Sequence, residues 1–371
     1  MPHKRKPNQR RSKPAPATLD LERVDRLALS LRELAPWNWM TPAQIFGVQD
    51  PSSGQRAWVQ VHAGSCPGVS AFLGDASHEQ LLRRRAGELQ HEDELHDSDQ
   101  LILMLDPDPR VKLAESTRPT LRQPDSKDAA APALLLHQRP GCPAGAPQAQ
   151  DAERMAGVLE QLLELSPRLR VTPGLLDAQH PEGWLVRVPE ATSGGLVWHD
   201  TRISTPTPDP IPVAQPDPEH LEYLGAYCCS FEGTLDCDVF FLPIPWRERG
   251  RHHDEFMVMF ALLDPESGMI LFQELLHCGN RWAEAQAALL HWIEQLQRFP
   301  ERLRVRRRQL HIALAPLAEH FGMQLELAAE LPDCDVLQND MSLHFQSLGP
   351  RHPLFQEQQP RRRRARQIKT R

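Results

Sequence analysis

The sequence predicts an α+β protein of two domains. The first combines an N-terminal helix with an antiparallel meander, the second is a mixed sheet with flanking helices, and basic disordered tails lie at both ends. Three observations predict this. Some windows repeat apolar residues at helical spacing, whereas others alternate or run continuously apolar over strand length. Pro at 35 against Gly at 20 supplies many stiff connections and excludes a mostly helical bundle. Hydrophobic content of 40% and 8 Trp in 371 residues suffice for two packed cores, so the body is not disordered.

The first helix is read from Leu21, Val24, Leu27, Ala28, Leu31 and Leu34, and Pro36 stops it. In "PWNWM" two Trp follow that helix, and core anchors are favoured over a recognition surface. "TPAQIF" carries Thr41 as N-cap, Pro42 at the first helical position and Gln44 where a capping box needs it. "FGVQ", "RAWVQV" and "GVSAFLGD" read as strands, and Ser77 with Gln80 as the capping box of a helix running to about Gln90. "HEDELHDSD" reads as a solvated acidic loop and "LILMLD" as a buried strand, and residues 106–147 read as a long Pro/Ala-rich connection with little regular structure.

A helix around Asp151 to Leu165 opens the second domain, followed by the strand-like "GWLVRVPE" and "GGLVWHD". From Tyr223 the pattern becomes regular, and "AYCCSFEG", "DVFFLPIP", "FMVMFALLD" and "GMILFQELL" read as successive strands. Trp282, Ala285, Leu289, Ile293 and Leu296 make a helix, "RLRVR" a strand, Leu310, Leu314, Leu317 and Phe321 a helix closed by Gly322, and "MQLELA" a half-buried strand. The expected boundaries are a tail at 1–19, a meander domain at 20–105, the connection at 106–147, a second domain at 148–345 and a tail at 346–371.

Charge divides sharply along the chain. Lys4, Arg5, Lys6, Arg10, Arg11 and Lys13 stand in residues 1–19 with no acid, and Arg361, Arg362, Arg363, Arg364, Arg366, Lys369 and Arg371 stand in residues 360–371 with none. Taking these thirteen from 42 basic residues leaves 29 against 49 acidic ones, about −20 on the body. Tails of this kind hold phosphates of nucleic acid, or else lie on their own acidic body. The candidate nucleic-acid-binding residues are therefore Lys4, Arg5, Lys6, Arg10, Arg11, Arg361 to Arg364 and Arg366.

Asp-Pro-x-Ser-Gly occurs twice, at Asp50–Gly54 and Asp264–Gly268, each time between apolar runs. An Asp at a strand end suits a metal ligand, but turn chemistry accounts for every residue of the motif: Asp accepts a backbone N–H two residues on, Pro presets φ, and Gly supplies the left-handed residue. Cys228, Cys229, Cys237, His277, Cys278 and Cys334 form no zinc spacing, and the histidines of "HEDELH" are five apart instead of four. There is no G-x-S-x-G, P-loop or dinucleotide fingerprint, and Cys66 and Cys142 lack a basic partner that would activate them. No metal and no cofactor is expected. In "RLRVRRR", Arg302, Arg304 and Arg306 fall on one side of a strand, which is either an anion-binding face or a face turned to acidic neighbours.

"DCDVFFLP", "FMVMFALLDPESGMILFQELL" and "FPERLRVRRRQLHIALAPLAEHFGMQLEL" resemble the ribonuclease-H-like core of integrases and transposases. That resemblance implies a first metal-binding carboxylate at Asp236 or Asp238 and a second just after "RLRV". The latter position holds Arg306, followed by Arg307 and Arg308, whose charge repels a metal. The shared fold is thus expected in a degenerate form, without the nuclease site.

"LAPWNWMTPAQIFGVQDPSSGQRAWVQVHAG" with "LLLHQRPGCPAGAPQAQDAERMAGVLEQLLEL", and then Gly225 to Val336, resemble two uncharacterised bacterial domain families in tandem, neither of which brings an activity. The expected role is a non-catalytic binding or adaptor module, with a protein partner or nucleic acid reached through the tails. The alternative is a hydrolase or nuclease-like enzyme on a ribonuclease-H-like scaffold. Seven irregularly spaced Cys, an N-terminus without an apolar signal core, and the lack of a membrane-length apolar run make a reducing cytoplasm the expected compartment.

Overall fold

The computed structural model describes residues 21–88, 96–106, 133–177, 180–207, 211, 213–246 and 254–348. The tail residues singled out above lie outside them. The chain forms two compact units, each built on one mixed sheet. Among the described residues no helix is long and apolar enough to cross a membrane.

The first sheet has seven strands in the order β5-β4-β3-β2-β1-β6-β7. These are β1 (Phe46–Gln49), β2 (Arg56–His62), β3 (Gly68–Leu73), β4 (Gln100–Met104), β5 (Leu134–Gln138), β6 (Trp184–Thr192) and β7 (Gly195–Ile203). α1 (Leu21–Leu34) packs against α3 (Ala149–Val171), with Arg23 joined to Glu160 at 2.6 Å. α1 buries Val24, Ala28 and Leu31, the stripe expected from spacing. α3 starts at a capping box in which the Asp151 carboxylate accepts the Gln148 N–H at 2.7 Å. In the sheet, Trp58 and Trp184 meet edge to face at 6.1 Å.

Several elements of this unit differ from expectation. The sheet is mixed, because β1 pairs antiparallel with β2 but parallel with β6. That pairing places α3, β6 and β7 with the first sheet, although the sequence reading opens the second domain at 148. Leu134–Gln138 is a strand within the supposed connection, and its three leucines are buried. Between buried Met40 and Ile45 there is room for a turn only, so Gln44 accepts the Thr41 N–H at 2.8 Å without opening a helix.

"PWNWM" contributes a short 3-10 turn at Pro36–Asn38, in which Pro36 and Met40 are buried and Trp37 and Trp39 half-buried, with the Arg170 guanidinium 5.0 Å above Trp39.

α2 (Gly74–Ala86) begins ahead of Ser77. Ser77 and Gln80 therefore sit inside it and hold the chain beside it: Ser77 Oγ accepts the Asp99 N–H at 3.0 Å, and Gln80 Oε1 accepts the Ser98 hydroxyl at 2.7 Å. Gly87, in the left-handed region, ends the helix.

The second sheet has the order β10-β9-β8-β11-β12, comprising β8 (Cys229–Trp246), β9 (Glu255–Asp264), β10 (Met269–Leu276), β11 (Arg298–Val305) and β12 (Gln324–Leu327). β8, β9 and β10 are antiparallel, and β11 runs parallel to β8 and to β12. α5 (Arg281–Leu296) and α6 (Arg308–Phe321) join β10 to β11 and β11 to β12. This is the expected series of strands, helix, strand, helix and strand.

Three details differ. Two expected strands are one, β8; Ala226 and Tyr227 end a helix, α4 (Pro218–Tyr227); and α7 (Pro332–Leu348) runs past the boundary at which the second tail was expected.

The sheet separates two cores by strand alternation. Leu235, Cys237, Val239 and Phe241 of β8 join the core that includes Ala285, Leu289 and Ile293 of α5 and Leu310, Leu314 and Leu317 of α6. Phe240 and Leu242 join Met259, Ala261 and Leu263 of β9 beneath Cys334 and Leu337 of α7. Burying each large apolar side chain contributes about 1.5–3 kcal/mol, so α7 owes its place to this second apolar face.

Candidate functional site: an arginine-sealed carboxylate pair

Asp236 and Asp238 alternate with the β8 residues of the first core, so their side chains fall on the α7 face. Both are buried. Parallel pairing sets Arg304 of β11 across from Asp236. Its Nε and a terminal nitrogen donate to the two carboxylate oxygens at 2.7 and 2.8 Å, the bidentate geometry that arginine and carboxylate match best.

Just past β11, Arg306 Nε donates to Asp238 Oδ2 at 2.8 Å and Arg307 Nε to Oδ1 at 2.9 Å. Arg306 also donates to Asp335 and, at 2.9 Å, to Gln338, both on α7.

The electrostatics follow from the geometry. Burial pushes the Asp238 carboxyl up, yet the Arg307 and Arg306 charges and their hydrogen bonds outweigh burial and hold it below the usual carboxylate range. The hydrogen bond to Asp236 holds Arg304 above the ordinary arginine value against burial. Asp238 therefore stays ionised, and both acids are engaged by guanidinium groups. A metal ion here would have to displace three guanidinium groups, and the arrangement offers no carboxylate lone pair facing solvent for a bridging cation.

Of the arginines expected on one strand face, Arg304 and Arg306 face acids and Arg302 donates to Gln324 at 3.2 Å. The reading of that face as turned to acidic neighbours fits these contacts.

Asp50 and Asp264 are turn residues. Asp50 Oδ1 accepts the Ser52 N–H at 2.7 Å, and Asp264 Oδ1 accepts the Glu266 N–H at 3.0 Å. In each turn the glycine N–H closes onto the Asp carbonyl at 2.8 Å, with Gly54 and Gly268 left-handed at φ 72° and 68°. Asp50 further accepts Arg154 Nε at 2.9 Å.

All seven cysteines are free thiols. Burial pushes Cys278 up to about 11 and also raises Cys237 and Cys334, so these three are protonated at neutral pH and poor nucleophiles. Among the described residues no group of three His, Cys, Asp or Glu side chains gathers as a metal would require. Sequence reading missed the pairing itself: it placed the acids and the arginines separately, and the signal for joining them was the parallel register.

Fold and site together define an α+β protein of two mixed sheets, one of which seals a buried acid pair with arginine. Residues 22–187 match the model of a domain of unknown function (DUF7309), and residues 229–342 match that of another (DUF6930). The chain thus carries two domains of unknown function in tandem. No curated protein matches the sequence.

Proposed function

We propose that the chain is a non-catalytic binding or adaptor module of the cytoplasm, with a degenerate ribonuclease-H-like second unit and arginine-rich ends that contact nucleic acid. The observation that carries this reading is the engagement of Asp236 and Asp238 by Arg304, Arg306 and Arg307. Two-metal phosphoryl chemistry needs open carboxylates around paired cations, and here both acids spend their charge on the fold. The strand order and directions of the second sheet support the ribonuclease-H-like reading. The candidate contacts to phosphate are Lys4, Arg5, Lys6, Arg10, Arg11, Arg361 to Arg364 and Arg366.

The test is binding to labelled single- and double-stranded DNA and RNA at two salt concentrations, with and without residues 1–19 and 360–371, followed by incubation with Mg²⁺ or Mn²⁺. Tail-dependent, salt-sensitive binding without cleavage is the expected result. Binding that ignores the tails removes them as the contact, no binding at all removes nucleic acid as the partner, and metal-dependent cleavage overturns the non-catalytic reading.

A further inference from the structure

α7 turns one side to the second apolar core, through Cys334, Leu337, Met341 and Phe345. Asp333, Val336, Asp340 and Leu343 recur at steps of 3, 4 and 3 and so line its opposite side. Val336 and Leu343 are each 59% exposed, and Asp340 and the preceding Glu330 are exposed with them. The helix holds three acids and no lysine or arginine. Asp335 is taken by Arg306, but Glu330, Asp333 and Asp340 form no ion pair among the described residues. Exposed apolar residues framed by unpaired acids suit a partner of complementary kind, in which apolar residues lead into cations.

The chain itself supplies such a segment. Directly after α7 it continues "GPRHPLFQEQQPRRRRARQIKTR", with Leu354 and Phe355 ahead of Arg361 to Arg364. We infer that this segment folds back along the outer side of α7, with Leu354 and Phe355 on Leu343 and Arg361 to Arg364 beside Asp333 and Glu330.

The lengths agree with this register. Leu343 to Asp333 is ten steps, about 15 Å of helix. Phe355 to Arg361 is six steps, about 20 Å of extended chain. With Phe355 on Leu343, the arginines therefore pass Asp333 and come level with Glu330. Phe355 comes seven residues after Leu348, and Gly349, Pro350 and Pro353 between them are residue types that reverse a chain.

Attachment selects the occupant. Joined to α7, the segment meets it at roughly millimolar effective concentration, so contacts too weak to hold a separate peptide suffice. The basic run at residues 1–19 has no pair of apolar residues like Leu354 and Phe355, and it joins the other unit ahead of α1. Docking stands independently of the nucleic-acid reading; if that reading also holds, α7 and phosphate compete for Arg361 to Arg364.

The experiment is photo-cross-linking and proteolysis of the full chain. Phe355→p-benzoylphenylalanine, irradiated in dilute solution, should attach within one chain to the α7 peptide around Leu343, located by mass spectrometry. Tryptic cutting after Arg361 to Arg364, followed by intact mass, should quicken about tenfold in Glu330→Gln/Asp333→Asn and in Val336→Ser/Leu343→Ser, the change expected when nine segments in ten are docked. Cutting after Arg10 and Arg11 should keep its rate. None of the four substituted side chains belongs to the second core, so both variants should keep the far-UV circular dichroism and melting transition of the wild type.

A cross-link between two chains assigns the face to another copy's tail and overturns the inference. So does the lack of any cross-link to α7, or unchanged cutting in both variants. Equal quickening at both ends of the chain overturns it as well, because the general acidity of the body would then hold both tails. Neither readout involves nucleic acid, so a failure here leaves the tail-dependent binding test to be decided by itself.

Discussion

Arg304 stands directly across from Asp236 on the neighbouring parallel strand and closes both carboxylate oxygens with its guanidinium group. The acid is buried while the arginine is partly open to solvent. Removing the cation alone therefore strands a buried charge, whereas removing both partners does not. Arg304→Ala is expected to cost about 3 kcal/mol, and Asp236→Ala/Arg304→Ala less than the sum of the two single changes. Denaturant unfolding of the four proteins of the cycle measures the coupling, and additive single changes would show that the pair is not coupled.

Arg306 ties Asp238 to Asp335 and Gln338, so one side chain links the sheet to the first turns of α7. Arg306→Ala should loosen α7 well before the strands. Hydrogen exchange of amides in 335–345 is expected to quicken at least about tenfold, with β9 amides changing little. Equal acceleration in both would mean that the tie is global.

Acid should weaken the fold in a defined window. Asp238 and Asp50 both titrate below 3.8 in the folded chain, Asp50 at about 2. For Asp50, burial raises the value, and the Ser52 and Arg154 hydrogen bonds more than reverse it. A depressed carboxylate contributes stability that is complete above its unfolded value and is lost as pH falls through the folded one. Stability should accordingly drop from about pH 4 towards pH 2. Asp50→Asn should flatten part of that slope, on the order of 1 kcal/mol once solvent screening is counted. Unfolding curves taken across this range provide the check, and an unchanged slope would remove Asp50 as a contributor.

Gly141 should tolerate no side chain. Its φ is +69°, and a Cβ there would lie 1.7 Å from Cys278 Sγ. The N–H donates to His96 O at 2.6 Å and the carbonyl accepts the Phe256 N–H at 2.7 Å, so the backbone is held from both sides. Gly141→Ala is expected to cost more than about 2 kcal/mol. Adding Cys278→Ala should restore only part of that loss, because it removes the sulfur and leaves the left-handed φ. Thermal melts of the single and double variants distinguish the two contributions.

Local rules made much of this molecule legible. The stripe of α1, the alternation of β8 and β9, the helix–strand–helix–strand run from Arg281 to Leu327 and both Asp-Pro-x-Ser-Gly turns depend on interactions within a few residues, and spacing alone reveals them. The families matched at 22–187 and 229–342 likewise leave their mark in linear motifs.

Long-range pairing is what the sequence could not convey. Leu134–Gln138 reads as part of a Pro/Ala-rich connection until β4 pairs with it, and β6 reads as the second domain's strand until β1 takes it as a parallel neighbour. Ser77 reads as a cap until Asp99 claims its hydroxyl. The same holds at the site. Composition and order determined an acid-bearing strand and an arginine-bearing strand, each plain in isolation. Only the tertiary structure decided that Arg304 faces Asp236 and that Arg306 and Arg307 close on Asp238, because parallel register joins residues 68 and 69 positions apart and no local preference encodes it.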